Sequence, residues 1–342
     1  MPARLPALPP LRPAGKGVVL GAGGFLGGAI ADALAGAGQD VLGVLRRPGR
    51  TLPVRSVVLD VNLAPEALID LFWEERPDFI VNAAGRVFTE DPAELVGANV
   101  ALTDRVVDAV ARLPWAPRLV HLGSVLEYGP APGGEPVGEE VPTRPDTDYG
   151  QAKAAGTERV LTAARWGAVD AVVLRVANVY GPGTPSTALL GRVADALVRT
   201  AGDGPRELKL NRLDSRRDFV DVRDVASAAA RAVSVPLDRR RVLNIGRGEV
   251  LGVRDLVRDL IELSGVPLRV VEVEHTARTA GSPWFCVDAT AAREVLGWSP
   301  EHAPRDSLTA LWRSALGASG RAHPTTDGLR THRRPTYSGR AV

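Results

Sequence analysis

"KGVVLGAGGFLGGAIADALAGAGQDVLGVLRRPG", residues 16–49, decides the fold. An apolar run at 18–20, a glycine-rich turn, an alanine-rich stretch of helical spacing and a second apolar run follow one another without a gap, the pattern of one β-α-β unit. Working outward, similar apolar runs recur at 56–61 (SVVLDV), 78–85 (DFIVNAAG), 118–124 (RLVHLGS) and 171–181 (AVVLRVANVYG). Helical segments separate most of them, among them PAELVGANVALTDRVVDAVARL at 92–113. Near-continuously apolar strands alternating with helices predict an α/β fold, a doubly wound parallel sheet covered on both faces.

After YGPG (180–183) the alternation loosens. Residues 184–215 and 250–317 are richer in charge and proline and are assigned to a smaller substrate-binding α/β lobe, while 16–183 and 216–249 form the main domain. Residues 1–15 and 318–342 read as disordered tails. The tails also skew the charge. Of the formal +2, residues 1–16 carry +3 and residues 318–342 carry +4, which leaves −5 for 17–317. A mildly acidic folded region argues against nucleic-acid binding. The single cysteine, Cys286, excludes an intrachain disulfide. The five histidines (121, 275, 302, 323, 332) lack ligand spacing, so no metal site is expected, and His121 reads as a satisfied strand residue. Proline breaks up the first fifteen residues and no apolar run reaches a membrane span, so the expectation is a soluble, cytoplasmic protein with no membrane partner.

Gly21, Gly24 and Gly27 form G-x-x-G-x-x-G between the first strand and its helix, with Phe25 and Leu26 inside the motif. Such a turn lets backbone N–H groups and the helix dipole approach a pyrophosphate; the alternative is that the glycines only permit tight helix–sheet packing. Arg46 and Arg47 end the second strand, where an arginine fork suits a ribose 2′-phosphate, so NADP is favoured and NAD remains open. Two solvated surface arginines are the rival reading. Asp60, followed by Val61, is placed to accept from an adenine amine, or is an ordinary loop residue.

Tyr149 and Lys153 carry a sharper signal. The chain has four tyrosines and three lysines, and a lysine falls four residues after a tyrosine by chance in only about 0.04 of such chains, against about 0.4 for the glycine spacing. On a helix the two share a face. An ammonium ~4 Å from the phenol at an effective dielectric of ~20 is worth roughly 4 kcal/mol, enough to lower the phenol's pKa by about three units and make a general acid/base.

Taken together, the glycine turn, NAAG at 82–85, Ser124 and Y149-x-x-x-K153 resemble the short-chain dehydrogenase/reductase superfamily. GSVLEYG (123–129), RVANVYGPG (175–183), RDFVDVRDVA (217–226), LNIG (243–246) and AREVLGW (292–298) narrow the resemblance to its extended, sugar-nucleotide epimerase/dehydratase-like branch, over residues 17 to 315. The resemblance implies a Rossmann domain and a catalytic set of Ser124, Tyr149 and Lys153, with Ser124 orienting the reacting oxygen and Lys153 also on the cofactor ribose. It places Asn82, Ala83, Ala84, Gly85 and Val179 along the cofactor and Asn99 on the helix behind it. Asn178, Arg217 and, more weakly, Arg278 go to the substrate diphosphate. A homodimer through paired helices, one bearing Tyr149, is implied as well.

One departure matters. Related 4,6-dehydratases follow the active-site hydroxyl with an Asp-Glu pair, whereas Val125 and Leu126 follow Ser124 and move no protons. The expectation is therefore an NADPH-dependent reductase of a nucleotide-linked keto-sugar, most plausibly a dTDP-4-keto-6-deoxyhexose 4-ketoreductase. The alternatives are an NAD-retaining nucleotide-sugar 4-epimerase, a carbonyl reductase of a non-sugar metabolite, and a non-catalytic NAD(P)-binding sensor.

Overall fold

The computed structural model describes residues 15–49, 51–87, 91–130, 134–200, 206–237, 239–273 and 284–319. Strand β1 (Lys16–Leu20) passes through the glycine turn into helix α1 (Phe25–Gly36) and returns as β2 (Asp40–Leu45), the unit read from residues 16–49. Then come β3 (Arg55–Val58), α2 (Pro65–Glu75), β4 (Phe79–Asn82), α3 (Pro92–Val96), α4 (Leu102–Ala111), β5 (Arg118–Ser124), α5 (Asp148–Arg165) and β6 (Asp170–Val176). With β10 (Val242–Ile245) these strands make one seven-stranded sheet in the order β10-β6-β5-β4-β1-β2-β3. Every pairing in it is parallel. Chain order reverses between β1 and β4, which opens a crevice at their carboxyl ends.

Strand periodicity builds the two faces. Val19, Val81, Val120 and Leu174 enter one core with α1, α7 (Val222–Ala232) and α9 (Thr290–Leu296). Their neighbours Val18, Ile80, Leu119 and Val173 enter the other, with α2, α4 and α5. Each such side chain taken fully out of water contributes about 1.5–3 kcal/mol. A register slip of one residue would exchange the two sets, so burial on both faces fixes the pairing. Thr147 starts α5 by accepting the N–H of Gly150 at 2.9 Å, which sets where the Tyr149 turn begins.

A third core joins α6 (Leu189–Thr200), α8 (Val253–Ser264) and α10 (Pro304–Ala318), with β8 (Arg206–Asn211) and β12 (Leu268–Val273) paired beside it. Between the cores, β9 (Arg216–Asp221) pairs with β7 (Asn178–Tyr180), β11 (Val250–Gly252) and β13 (Trp284–Phe285).

Three details differ from the sequence expectation. The run 171–181 is two strands, because β7 leaves β6 to pair with β9. The helix expected over 92–113 is interrupted by a π turn at Gly97–Ala101. Residues 285–298 were assigned to the smaller lobe, yet Phe285, Val287, Leu296 and Trp298 lie in the main core, and the Trp298 indole donates to the Asp224 carbonyl at 3.0 Å. The tails, except residues 15, 318 and 319, lie outside the described residues. No helix among the described residues is long and apolar enough to cross a membrane.

Candidate active site

The glycine turn is shaped by steric need at two of its three positions. Gly21 has φ +77°, and a Cβ there would stand 2.8 Å from the Ala84 backbone. A Cβ on Gly27 would stand 2.2 Å from the Gly21 carbonyl oxygen. Tight packing thus explains Gly21 and Gly27 whatever binds. Gly24, the residue before α1, keeps the turn narrow, since a Cβ there would approach the Gly21 oxygen to 3.2 Å.

Above this turn lies a cleft of ≈ 310 Å³. Gly21, Gly24, Arg46, Arg47, Asp60, Val61, Ala83, Ala84 and Gly85, all singled out from sequence, line it. So do Gly23, Asn62, Arg86, Ala98 and Leu102, which sequence reasoning missed. Arg86 was within reach, directly following NAAG; it is ion-paired with Glu94. The two arginines at 46–47 are exposed at the rim. Asp60 accepts the N–H of Asn62 at 3.0 Å, and the Asn62 side-chain oxygen accepts from Arg105. Phe25, Leu26, Gly27, Asn99 and Val179 are not part of this lining: Leu26 and Val179 pack on the main core, and Phe25 lies close to Gly183. A glycine-floored cleft at a helix start, closed by Ala83–Gly85 and rimmed by two cations, fits the adenosine and pyrophosphate part of a nicotinamide dinucleotide.

Asn99 acts on this cleft indirectly. Its amide nitrogen donates to Leu95 O at 2.9 Å and Arg86 O at 3.0 Å, tying the π turn to the loop after β4. Its Oδ1 is buried with no partner among the described residues, and a Cβ on Gly85, at φ +154°, would stand 2.6 Å from it. Asn82 orders the same loop, accepting Ala84 N–H at 3.3 Å while its Nδ2 lies 3.2 Å from His121 Nδ1. The donor is the amide, so the imidazole proton sits on Nε2, which has no partner among the described residues. His121 is therefore only half satisfied, contrary to the sequence reading. Burial, aided by Lys153, holds its pKa well below the usual imidazole value, so it is neutral.

Ser124 ends β5, and Tyr149 and Lys153 stand one turn apart on α5. The Ser124 hydroxyl accepts the N–H of Leu126 at 3.2 Å and lies near enough to the Tyr149 phenol to favour its charged form. The sequence account of the phenol needs correction. Its pKa is raised, first by burial and then by the Glu127 carboxylate, with the nearby Ser124 hydroxyl opposing. Lys153 does not point its charge at the phenol: its Nζ donates to the Leu122 carbonyl, and burial lowers its own pKa to about 8, with Glu127 opposing. The phenol therefore holds its proton at neutral pH. Chemically, that makes it a proton donor first and an acceptor only with help.

Glu127 is a buried neighbour of this set that the sequence reading passed over. It is fully buried, and its carboxylate accepts from Ser124 N–H at 2.8 Å, Thr157 Oγ1 at 3.0 Å and Arg175 Nε at 2.9 Å. The Arg175 guanidinium lies 4.5 Å from the Tyr128 ring centre. The S-x-x-E spacing of a capping box was the available signal.

Arg217 is half-buried on β9, and its side chain has no hydrogen-bond acceptor among the described residues. Burial lowers its pKa and the Asp146 carboxylate partly restores it. Asn178 donates to the Asp218 carbonyl at 2.9 Å and so braces the strand bearing Arg217. Arg278 lies outside the described residues.

Comparison with known proteins accords with this geometry. The sequence profile of the NAD dependent epimerase/dehydratase family matches residues 18–246. A dTDP-6-deoxy-L-talose 4-dehydrogenase (NAD(P)(+)) from Kitasatospora kifunensis is 40% identical over 301 residues, 86% of this chain and 93% of that protein. A GDP-6-deoxy-D-mannose reductase from Pseudomonas aeruginosa is 28% identical over 266 residues, 74% of this chain and 86% of that protein. The structure of MoeE5 in complex with UDP-glucuronic acid and NAD superposes with a TM-score of 0.78 at 28% identity, covering 89% of this chain and 100% of that one. The chain belongs to the NAD dependent epimerase/dehydratase family and is an NAD(P)-dependent enzyme of the extended short-chain dehydrogenase/reductase type.

Proposed function

We propose that this protein is an NADP(H)-dependent 4-ketoreductase of a dTDP-linked 4-keto-6-deoxyhexose, working in the cytoplasm as a homodimer. The observation that carries the reading is the protonated phenol of Tyr149 close to Ser124, with a buried lysine one helical turn on and no carboxylate at 125 or 126. A site of this composition donates one proton to a carbonyl oxygen, and Val125 and Leu126 offer no group for eliminating water. Glu127 does not fill that role, since its oxygens are taken up by Ser124, Thr157 and Arg175.

When bound, the nicotinamide supplies the hydride. The chain does the rest. Ser124 orients the carbonyl oxygen, Tyr149 protonates it as the alcohol forms, and Lys153, its Nζ held by the Leu122 carbonyl, keeps its charge one helical turn away. Arg217, desolvated and with no side-chain acceptor among the described residues, suits a diphosphate. The relative named for the 4-dehydrogenation of dTDP-6-deoxy-L-talose supports the sugar and the position, because oxidising a 4-hydroxyl and reducing a 4-ketone are the two directions of one reaction. Arg46 and Arg47 at the cleft rim favour the 2′-phosphate of NADP(H).

The test is incubation with NADPH or NADH and a panel of dTDP-, UDP- and GDP-linked 4-keto sugars, following loss of the reduced nicotinamide's near-ultraviolet absorbance. Stoichiometric loss with a dTDP-4-keto-6-deoxyhexose, faster with NADPH, is expected. No loss with any 4-keto sugar nucleotide overturns the reading. Nicotinamide released only on denaturation, together with interconversion of 4-epimers, would replace it with a 4-epimerase.

A further inference from the structure

We propose that Glu127 is a positioning residue for the reaction assigned to Ser124, Tyr149 and Lys153: its carboxylate clamps the end of β5 to α5 and keeps a fixed negative charge against the phenol and the ammonium. The catalytic half of this inference rests on the function proposed above; the electrostatic half does not.

The clamp is visible atom by atom. Oε1 accepts both the Ser124 backbone N–H at 2.8 Å and the Thr157 hydroxyl at 3.0 Å. Thr157 follows Lys153 by four residues and Tyr149 by eight, so it shares their face of α5. One oxygen thus joins the backbone of the serine to the helix that carries its two partners. Space is reserved for it: a Cβ on Gly123 would stand 2.6 Å from Oε1. Oε2 accepts from Arg175 Nε at 2.9 Å, and Arg175 lies over Tyr128, whose hydroxyl donates to Asn244 at 2.8 Å.

A structural role alone explains this poorly. A buried carboxylate is expensive to desolvate, and apolar side chains of similar volume commonly replace a buried ion pair without loss of stability. What an apolar residue cannot supply is charge. Facing the carboxylate are Arg175 from β6 and Tyr149 and Lys153 from α5; Tyr128 lies against Arg175 with Glu139 near it, and His121 from β5 stays neutral. Glu127 favours the protonated form of both Tyr149 and Lys153. Burial has brought the lysine to about 8, close to the working range, so losing the neighbouring carboxylate would leave much of it as neutral amine near neutral pH.

The chain has only three lysines, which makes the charge directly observable. Protein labelled with carbon-13 at lysine Cε is titrated across neutral and alkaline pH, the Lys153 resonance being assigned by its loss in Lys153→Met. In Glu127→Gln the Lys153 midpoint is expected to fall by about one unit or more while those of Lys16 and Lys209 stay in place. The alkaline limb of the kcat profile should move to lower pH as well. Glu127→Asp, which retains the charge, should restore most of the lysine midpoint even where kcat stays low. If Glu127→Gln does not fold with Arg175 left unpaired, Glu127→Gln/Arg175→Leu removes the ion pair whole and must still show a fall, smaller because a nearby cation leaves with it. An unchanged Lys153 midpoint in the folded variant overturns the proposal. A shifted midpoint in an enzyme that reduces no keto-sugar nucleotide would leave the charge effect standing and remove the substrate reading; turnover with an unshifted midpoint does the reverse.

Discussion

Replacing Arg217 by methionine separates binding from stability in opposite directions. The guanidinium is half-buried, burial depresses its basicity, and the Asp146 carboxylate offsets this in part. Methionine keeps most of the apolar stem that packs in β9 and removes only the desolvated cation. Two charge-assisted hydrogen bonds to a diphosphate, at about 1.5 kcal/mol each, amount to about 3 kcal/mol, or roughly 150-fold in affinity. Folding, by contrast, loses no hydrogen bond to a described residue and escapes a desolvation penalty. Steady-state kinetics against the sugar nucleotide, paired with thermal melting, reads both effects. KM for the nucleotide sugar should rise by about two orders of magnitude with KM for NADPH little changed, while Tm holds or rises. An unchanged sugar-nucleotide KM, or a Tm several degrees lower, would show that Arg217 serves the fold and not the substrate.

Tyr149→Phe removes the proton donor while leaving the ring in place, so kcat should drop about 10²–10⁴-fold; NADPH binding, measured by fluorescence, should persist, and activity within a few-fold of the parent would refute the assignment. In Gly27→Ala the new methyl would stand 2.2 Å from the Gly21 oxygen, and over-packing of this kind costs about 1–3 kcal/mol; the melt should fall and the cofactor should bind more weakly. Asp170 gives a pH signature. Although burial raises its pKa, hydrogen bonds and charge from Arg118 and Arg241 outweigh this and lower it overall. A folded-state pKa below the unfolded one contributes stability that is present above the unfolded value, about 3.9, and is lost as pH falls through the folded value. Asp170→Asn should therefore melt lower at neutral pH, with the difference from wild type closing in acid; a constant difference would contradict the linkage.

What the sequence made legible follows from how local each signal is. Residues 16–49 declare their unit because strand, turn and helix are all encoded within reach of one another, and the spacing of Tyr149 and Lys153 needs nothing but helix geometry. Pairings between distant segments left no such mark. The departure of β7 from β6 depends on β9, some forty residues on, and Trp298 enters the main core through contacts with α7. Lys153 was expected to acidify Tyr149, but side-chain direction turns its Nζ to Leu122 and brings Glu127 into play. The capping-box spacing of Glu127 from Ser124 was legible but marks only a turn, and burial, a property of the assembled fold, is what sets it apart from a surface glutamate.

The central claim is that Tyr149 hands a proton to the oxygen of a sugar carbonyl as that carbon receives hydride. NADPH deuterated at the transferable position, incubated with a dTDP-4-keto-6-deoxyhexose and the enzyme, tests it most directly by mass and NMR analysis of the recovered sugar. Deuterium on C4 of the hexose, one atom per NADPH consumed, is the outcome expected, with transfer slowed in parallel with kcat by Tyr149→Phe. Product lacking deuterium at that carbon, or transfer undiminished in Tyr149→Phe, would contradict the account.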